Sequence, residues 1–232
     1  MKSKTIIQIV LAVVIVAFAF LLYGSIMKPV RFDNEYNVRR DACAEKLKAI
    51  RTLEESYKLT YGKYCGSFDT LINRLMNEDS LLIVQKVINY DKIPADVSVA
   101  DMPENEAIKA GYITPKQAYV NPIAQLREQG KLMVKESSGA THVMTDEEIQ
   151  NLRYVPYPRN AKQEFELEAG TIEKSGYNVP VFECKVSLQN LMSDLDEQMV
   201  INKVAEIEAV STKYAGWKVG DMTQTVTEGN FE

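Results

Sequence analysis

An uninterrupted apolar run near the N-terminus constrains this chain more than any other feature of its sequence. From Ile6 to Tyr23 the residues read IIQIVLAVVIVAFAFLLY, in which Gln8 is the one polar residue and no side chain is charged. Extended to Met27, the run would form a helix of roughly 33 Å, which matches a bilayer hydrocarbon core of about 30 Å. We therefore predict that residues 1–28 are a short tail followed by a transmembrane anchor.

Two other interpretations of this run are a buried core helix and a signal peptide that is removed. A core helix normally carries a polar stripe, and this run has none. A signal peptide has a shorter apolar region that ends in small residues. Here the C-terminal end of the apolar run contains the large residues Tyr23, Ile26 and Met27. The pattern favours an uncleaved anchor that crosses the membrane once.

The basic residues around the span bear on its orientation. Lys2 and Lys4 precede it, and four basic residues follow it (Lys28, Arg31, Arg39 and Arg40). Counting Lys and Arg alone slightly favours the opposite orientation, but long domains that follow a span translocate largely regardless of charge. We expect the N-terminus inside, the anchor in a bacterial inner membrane and the following domain in the periplasm.

The charge of the remaining chain excludes one class of partner. From Pro29 onward the chain carries 24 basic and 32 acidic side chains, a net of −8. Such a surface repels phosphate backbones, so nucleic acid is not an expected partner.

Residues 29–78 predict an amphipathic helix, a turn and a second, short helix. Pro29 marks either the end of the membrane helix or a kink in it, and a new helix is predicted from Tyr36 to Tyr61. Its apolar face has helical spacing and comprises Tyr36, Cys43, Leu47, Ile50, Tyr57, Tyr61 and Tyr64. Its wet face comprises Arg39, Arg40, Glu45, Lys48, Arg51, Glu55 and Lys58. Gly62 suits the helix end, and Ser67 is the predicted N-cap of the short helix, whose apolar face is Phe68, Leu71, Ile72 and Leu75.

Residues 79–232 predict an α+β domain with a mixed, mainly antiparallel sheet. The predicted strands are Leu81 to Tyr90, Leu152 to Tyr157, Gln163 to Glu168, Val179 to Val186, and a late strand at Trp217 and Val219, with Pro158 and Gly170 as separators. A helical turn is expected from Glu104 to Ala110, and Pro122 to Thr145 is the expected flexible insertion. Leu188 to Met199 has helical spacing that Val204 to Tyr214 would continue, although the run from Met199 to Ile201 could equally start a strand.

The sequence offers no constellation that indicates catalysis, and we predict that the protein is not an enzyme. His142 is the one histidine, and it falls within the expected insertion without a positioned partner for proton transfer. Cys43, Cys65 and Cys184 lack metal-ligand spacing. Cys43 and Cys65 would lie about 30 Å apart if they bracket one helix, so they cannot form a disulfide. A disulfide between Cys65 and Cys184 is an alternative that an oxidising compartment would allow. Three packed thiols are the favoured interpretation.

Other polar and aromatic clusters have ordinary explanations. Asp146 to Glu148 and Asp194 to Glu197 do not match a calcium loop and are interpreted as solvated faces, so no metal or cofactor is predicted. The segment Tyr154 to Pro158 (YVPYP) continues a strand-like run rather than indicating a proline-rich ligand. A candidate interaction surface is assigned to the helix before Gly62 and its exit: Arg51, Glu55 and Lys58 with Tyr57, Tyr61 and Tyr64. The tyrosines are, by their spacing, equally explained as core residues.

The segment Lys46 to Leu75, KLKAIRTLEESYKLTYGKYCGSFDTLINRL, resembles the start of the soluble domain in type IV pilins and type II secretion pseudopilins. The closing YAGWKVGD, Tyr214 to Asp221, and the GNFE ending are similar to pseudopilins as well. The chain as a whole resembles a family of bacterial single-pass envelope proteins. The pilin-like similarity covers about a quarter of the chain. It implies a membrane helix leading into an amphipathic helix and a role in an envelope assembly.

One segment departs from the pilin pattern. A prepilin peptidase site would place glycine before the apolar run, phenylalanine after that glycine and glutamate a few residues on, whereas this chain has Lys4-Thr5-Ile6 and no acidic residue in the span. The resemblance therefore implies a membrane-bound relative of pseudopilins. We expect a structural or assembly component of an envelope machine, with protein partners in the envelope and self-association as a further expectation. The alternative is a membrane-tethered module that binds or senses a ligand without catalysis.

Overall fold

The computed structural model describes residues 2–94, 102–135, 140–159, 161–210 and 214–232, with side chains from Ile7 onward. The chain is α+β, as the sequence predicts: a long N-terminal helix precedes small antiparallel sheets. The helices are α1 (Lys2–Tyr61), α2 (Phe68–Asn77), α3 (Glu104–Lys109), α4 (Pro122–Glu128), α5 (Asp146–Gln150), α6 (Leu188–Leu191) and α7 (Glu197–Val210). The strands are β1 (Leu81–Ile88), β2 (Ile113–Val120), β3 (Met133–Lys135), β4 (Thr141–Val143), β5 (Glu166–Lys174), β6 (Tyr177–Ser187) and β7 (Gly216–Gly220).

Helix α1 is continuous over 60 residues and passes through Pro29, which makes it about 90 Å long. The prediction that Pro29 could end the membrane helix is therefore wrong, and the helix predicted to start at Tyr36 is the second part of α1. A proline removes one backbone hydrogen bond and costs roughly 3 kcal/mol. Both flanks are strongly helical for independent reasons, the first through its apolar length and the second through packing on the domain, and together they outweigh that loss.

The second part of α1 packs on the three-stranded sheet in the order β5-β6-β7. Phe32 is the first buried residue of α1, and the buried side chains that follow recur at helical spacing (Cys43, Leu47, Ile50, Leu53 and Tyr57). From the sheet, Phe182, Cys184 and Val186 of β6 are buried on the same core. This alternation along β6 is that of a strand with one face on the core.

A single two-residue turn connects β5 to β6. Strand β5 runs through Gly170, so the predicted separation of the strands at that residue is wrong. Strands β5 and β6 are instead connected by Ser175 and Gly176. Both turn residues have positive φ, 54° and 80°, the backbone that a two-residue hairpin with right-handed twist requires. The last strand, predicted from Trp217 and Val219, is confirmed as β7 and pairs with β6.

The segment after α1 follows the sequence prediction closely. Gly62 has a φ of 73° and its N–H donates to the Lys58 carbonyl at 2.8 Å, which ends α1. Ser67 is the N-cap residue of α2, whose buried side chains are the four predicted ones. Strand β1 is confirmed and pairs with β2 in an antiparallel ribbon that extends from the core, and the predicted turn of helix from Glu104 is α3.

The region predicted as a flexible insertion, Pro122 to Thr145, is instead built into the fold. Asn121 caps α4 by accepting from the N–H groups of Ile123 and Ala124, and β3 pairs with β4 as a hairpin. Residues 136–139 of the predicted insertion lie outside the described residues. The glycine and serine residues of this segment had predicted flexibility. The segment is instead held on the core by buried side chains, those of Ile123, Leu126, Leu132 and Met144.

Two further predictions are wrong in the second half of the domain. Leu152 to Tyr157 is not a strand, because Tyr154 forms only an isolated antiparallel bridge with Glu164 and Pro156 and Pro158 lack the N–H that a ladder needs. The helix predicted from Leu188 is interrupted between α6 and α7, where Asp196 starts the second helix by accepting from Met199 N–H. Of that predicted helix, residues 211–213 lie outside the described residues.

Candidate interaction surface

The side of α1 that faces away from the sheet carries the polar residues from which a surface was predicted. Glu55 is exposed, while Arg51 and Lys58 are half-buried. Arg51 donates from its guanidinium to the Glu232 carboxylate at 2.8 Å, which fastens the C-terminus to α1. That hydrogen bond lowers the pKa of Glu232, so the carboxylate is ionised over the physiological range.

Lys58 is directed toward an aromatic ring rather than toward solvent. Its ammonium lies 4.6 Å from the centroid of the Tyr64 ring and donates to the Tyr64 hydroxyl at 3.3 Å. An ammonium over an aromatic face is an attractive arrangement. Of the three polar residues predicted on this surface, Glu55 is therefore the one with a free charged group among the described residues.

The three tyrosines of the prediction take different places. Tyr57 and Tyr64 are buried, and the Tyr64 ring packs 4.6 Å from the Phe182 ring. Tyr61 lies at the edge, where its hydroxyl donates to the Glu78 carboxylate at 2.6 Å. Burial removes Tyr57 and Tyr64 from any exposed surface. Helical spacing directs Tyr57 into the core beside Ile50, whereas Tyr64 follows the turn after α1 and is buried by its packing on Phe182.

A groove of about 340 Å³ opens beside Glu55. One wall is α1, with Arg51, Thr52, Glu55, Ser56 and Leu59, and the other contains Leu81, Gln125, Gln129 and Lys131. Leu59 stands at its edge with 80% of its surface exposed. Protein contacts combine an apolar centre with a polar rim, and this groove has that composition. Glu55 and Leu59 are therefore the strongest candidates for partner contact on this face.

Arg39, predicted on the wet face, is 4% exposed. Its guanidinium forms a charge-assisted pair with Asp194, including Nη2 to Oδ2 at 2.9 Å, and donates to the Leu191 carbonyl at 3.0 Å. The pair ties α1 to the α6–α7 connection, so the Asp194 cluster is structural rather than merely solvated. Helical spacing could have predicted this burial, because Arg39 lies three residues after Tyr36 and four before Cys43, on the apolar face.

Glu54 is, like Arg39, a buried polar residue of α1, and it was assigned to neither face of the helix from the sequence. It lies four residues after Ile50 and three before Tyr57, and it is fully buried. Its Oε2 accepts from the Cys65 N–H at 2.8 Å, which ties the turn after Gly62 back to α1. Burial raises the pKa of this carboxyl to about 8, so it is largely protonated at neutral pH.

The remaining sequence candidates have structural roles. His142 lies on β4, not in a loop, with Nε2 3.0 Å from a Glu148 oxygen. Glu148 also completes a capping box with Thr145 at the start of α5, and Asp146 pairs with Arg127 at 2.6 Å. In the part of the chain that the structure describes, no three His, Cys, Asp or Glu side chains are grouped as metal ligands would be.

All three cysteines are free and buried, as favoured from the sequence. Burial raises the pKa of Cys43 to about 12 and that of Cys184 well above its usual range. The thiols are therefore protonated small core side chains. Cys65 with Cys184 was the pairing that the sequence left open, and it is not formed here.

Comparison with known proteins finds no match: no family model, no curated protein and no solved structure is similar to this chain.

Proposed function

We propose that this protein is a membrane-anchored structural or assembly component of a bacterial cell-envelope machine, with a pseudopilin-like arrangement of anchor and domain. The observation that carries the proposal is the division of α1 into a projecting half, Ile7–Met27, and a packed half, Phe32–Tyr61. In the projecting half, the large apolar side chains from Ile7 to Ile26 are 41–73% exposed.

Among the described residues, α1 is the one helix that is long and apolar enough to cross a membrane. Its most apolar 18-residue window has a mean hydropathy of 2.8, and none of that window is buried in the fold. Leaving so many large apolar side chains in water would cost on the order of 20 kcal/mol or more. A bilayer removes that cost, and its thickness suits the length of the run. We propose that this anchor lies in a bacterial inner membrane and that the domain lies in the periplasm.

The packed half supports an assembly role. Because α1 continues without a break from the anchor into the core, the domain is held at a set distance above the membrane rather than on a flexible linker. The groove at Glu55 and Leu59 lies toward the far end of this rod. A rigidly mounted surface of this kind suits docking to neighbouring envelope proteins, including a second copy of the chain.

In-cell photo-crosslinking tests the proposal. A photo-reactive residue replaces Glu55 or Leu59 in the full chain, and a matched control carries it at Tyr177, an exposed position on the β5–β6 hairpin. We expect discrete membrane-protein adducts from positions 55 and 59 that are weak or absent at 177. Adducts should decrease when Leu59→Asp is combined with the probe at 55. Equal capture from all three positions, or none from any, contradicts the proposal.

A membrane-tethered ligand-binding module is the second candidate function. A separate apolar cleft between α1 and the β3–β4 hairpin favours it. Thermal shift of the full chain discriminates between the two candidates, because a ligand that binds only the folded state must raise its stability.

A further inference from the structure

A cleft of about 330 Å³ lies between α1, the β3–β4 hairpin and α5. Its apolar lining comes from Ala42 on α1, Met133 and Val134 on β3, and Met144, Leu152 and Pro156. The volume falls at the lower end of the range that encloses small molecules. This cleft is separate from the groove at Glu55 and Leu59, and its occupancy does not depend on that groove.

Carboxylates surround the mouth of the cleft. Glu45 on α1 and Glu147 on α5 are exposed and form no salt bridge with any described residue. Glu148 also lines the cleft, and donation from the Thr145 N–H lowers its pKa, so it is ionised. Its oxygens are occupied by the Thr145 N–H and by His142, whose Nε2 lies 3.0 Å from Oε1, so Glu45 and Glu147 are the two carboxylates of the lining that are available to a ligand.

The one lysine of the lining is held by the backbone. The Lys46 ammonium donates to the carbonyls of Asn151 at 3.1 Å and Tyr154 at 2.7 Å. Its position is set by those carbonyls, and its single charge is outnumbered by the carboxylates of Glu45 and Glu147. The cleft thus combines an apolar floor with an excess of negative charge at the mouth.

From this charge complementarity we infer that the cleft binds a small organic ammonium ion whose apolar body rests on Met133 and Met144 while its N–H groups face Glu45 and Glu147. Charge-assisted hydrogen bonds from an ammonium to carboxylates are among the stronger polar contacts in proteins. The described residues of the lining include no aromatic ring, so they do not form the cage that favours quaternary ammonium groups. Primary ammonium ions are therefore the matching class.

Methionine methyl NMR on the full chain in neutral detergent tests this inference, because Met133 and Met144 line the cleft. The probe is 2-phenylethylammonium, and 3-phenylpropanoate is a comparison of similar size and opposite charge. We expect saturable shifts of the Met133 and Met144 methyl signals with the ammonium probe. Met192, in the core, serves as the internal reference. Apparent affinity for the anion should be at least tenfold weaker.

Two variants separate the charge from the apolar floor. Glu45→Gln combined with Glu147→Gln keeps the shape and should weaken the ammonium probe at least tenfold. Ala42→Leu fills part of the cleft, leaves the carboxylates in place and should also abolish saturation. An unchanged Met192 signal establishes that each variant is folded.

Several results would overturn the inference. These are the absence of shifts in the wild type, equal shifts with both probes, and saturation that survives the double glutamine variant. Met133 signals that depend on protein concentration without any probe would also overturn it, because a second copy of the chain would then be the occupant.

Discussion

The two halves of α1 share one helical backbone and differ in what surrounds their side chains. The projecting half exposes apolar side chains on every side, whereas the packed half buries one stripe and leaves the opposite face polar. No other part of the described fold packs on the apolar window of the projecting half, so a polar side chain there would have no partner from the domain. In the packed half, Arg39 and Glu54 are buried with defined partners. One continuous helix therefore has two different surroundings: an apolar half, long enough to cross a membrane, that the fold does not cover, and a half whose inner face packs on the protein core.

The largest expected effect is on membrane attachment by the projecting half. Val13→Arg combined with Val16→Arg places two charges near the middle of the span, at about 2.5–3.5 kcal/mol each. We expect the full chain to lose its resistance to extraction by alkaline carbonate. The emission of Trp217, which packs 5.4 Å from Tyr36, should stay native because the fold begins at Phe32.

The matched control for that change is Val13→Leu with Val16→Leu, which keeps the span apolar and should behave as the wild type. A doubly arginine-substituted chain that resists carbonate as well as this control would break the distinction between the two halves.

In the packed half, the largest expected effect is on stability rather than attachment. Leu47 is fully buried, and Leu47→Ala should lower the free energy of unfolding by about 2–5 kcal/mol through lost burial and a residual cavity. Denaturant titration of the full chain in detergent, followed by Trp217 fluorescence, measures it. Val38→Ala, on the exposed side of α1, is the control and should change stability by less than about 0.5 kcal/mol. Equal effects at the two positions would contradict the assigned stripe.

Burial of the Glu54 carboxyl in the packed half makes the stability of the fold depend on pH. Its folded-state pKa of about 8 lies above the value of about 4.3 expected in the unfolded chain, so the folded state holds a proton that the unfolded state releases between these values. The resulting stability is fully present below the unfolded pKa and is lost as pH rises through about 8. We expect unfolding free energy to fall by up to roughly 4 kcal/mol from pH 5 to pH 8.5.

Glu54→Gln is the matched variant, since its amide oxygen can still accept from the Cys65 N–H. The difference between the wild type and this variant isolates Glu54 from every other titrating group. A difference that stays constant across the pH range would show that Glu54 does not titrate in this window.

The smallest expected effect concerns the polar side of the packed half. Arg51→Ala removes the hydrogen bond to Glu232 and should lower stability by about 0.2–1 kcal/mol, as for other partly exposed ion pairs. Limited proteolysis should then cleave the C-terminal tail sooner, while Arg40→Ala leaves the cleavage rate unchanged. Unaltered protection of the tail in the Arg51 variant would mean that its other contacts hold it in place.

Local signals were sufficient for several elements of the fold. Gly62 and Ser67 delimit the turn between α1 and α2 because their backbone preferences act within one helical turn. Strand β1 and strand β7 were predicted from short runs of branched and aromatic residues. The insertion from Pro122 was misassigned because its turn residues were visible in sequence, while the core contacts of Ile123 and Leu132 depend on residues far along the chain.

The candidate surface was only partly predictable. Helical spacing alone placed Tyr57 on an inner face and Glu55 on an outer face, and both positions agree with the structure. Lys58 and Arg51 were predicted on the wet face of the helix, but Tyr64 and Glu232 lie against them after the chain folds. The apolar cleft at Met133 was beyond sequence reasoning, since its walls come from three separate segments.

By itself the sequence determined that this chain has an apolar N-terminal helix long enough for a bilayer, an amphipathic continuation and an α+β domain. These properties follow from composition and periodicity, which act within a few residues. Folding of the whole chain was needed to bring Arg39 to Asp194, to enclose Glu54, and to hold the second half of α1 on the domain so that the helix continues through Pro29. Each of these depends on contacts between residues distant in sequence, whose free energy exceeds the local preference for a break, a solvated charge or an ionised carboxyl.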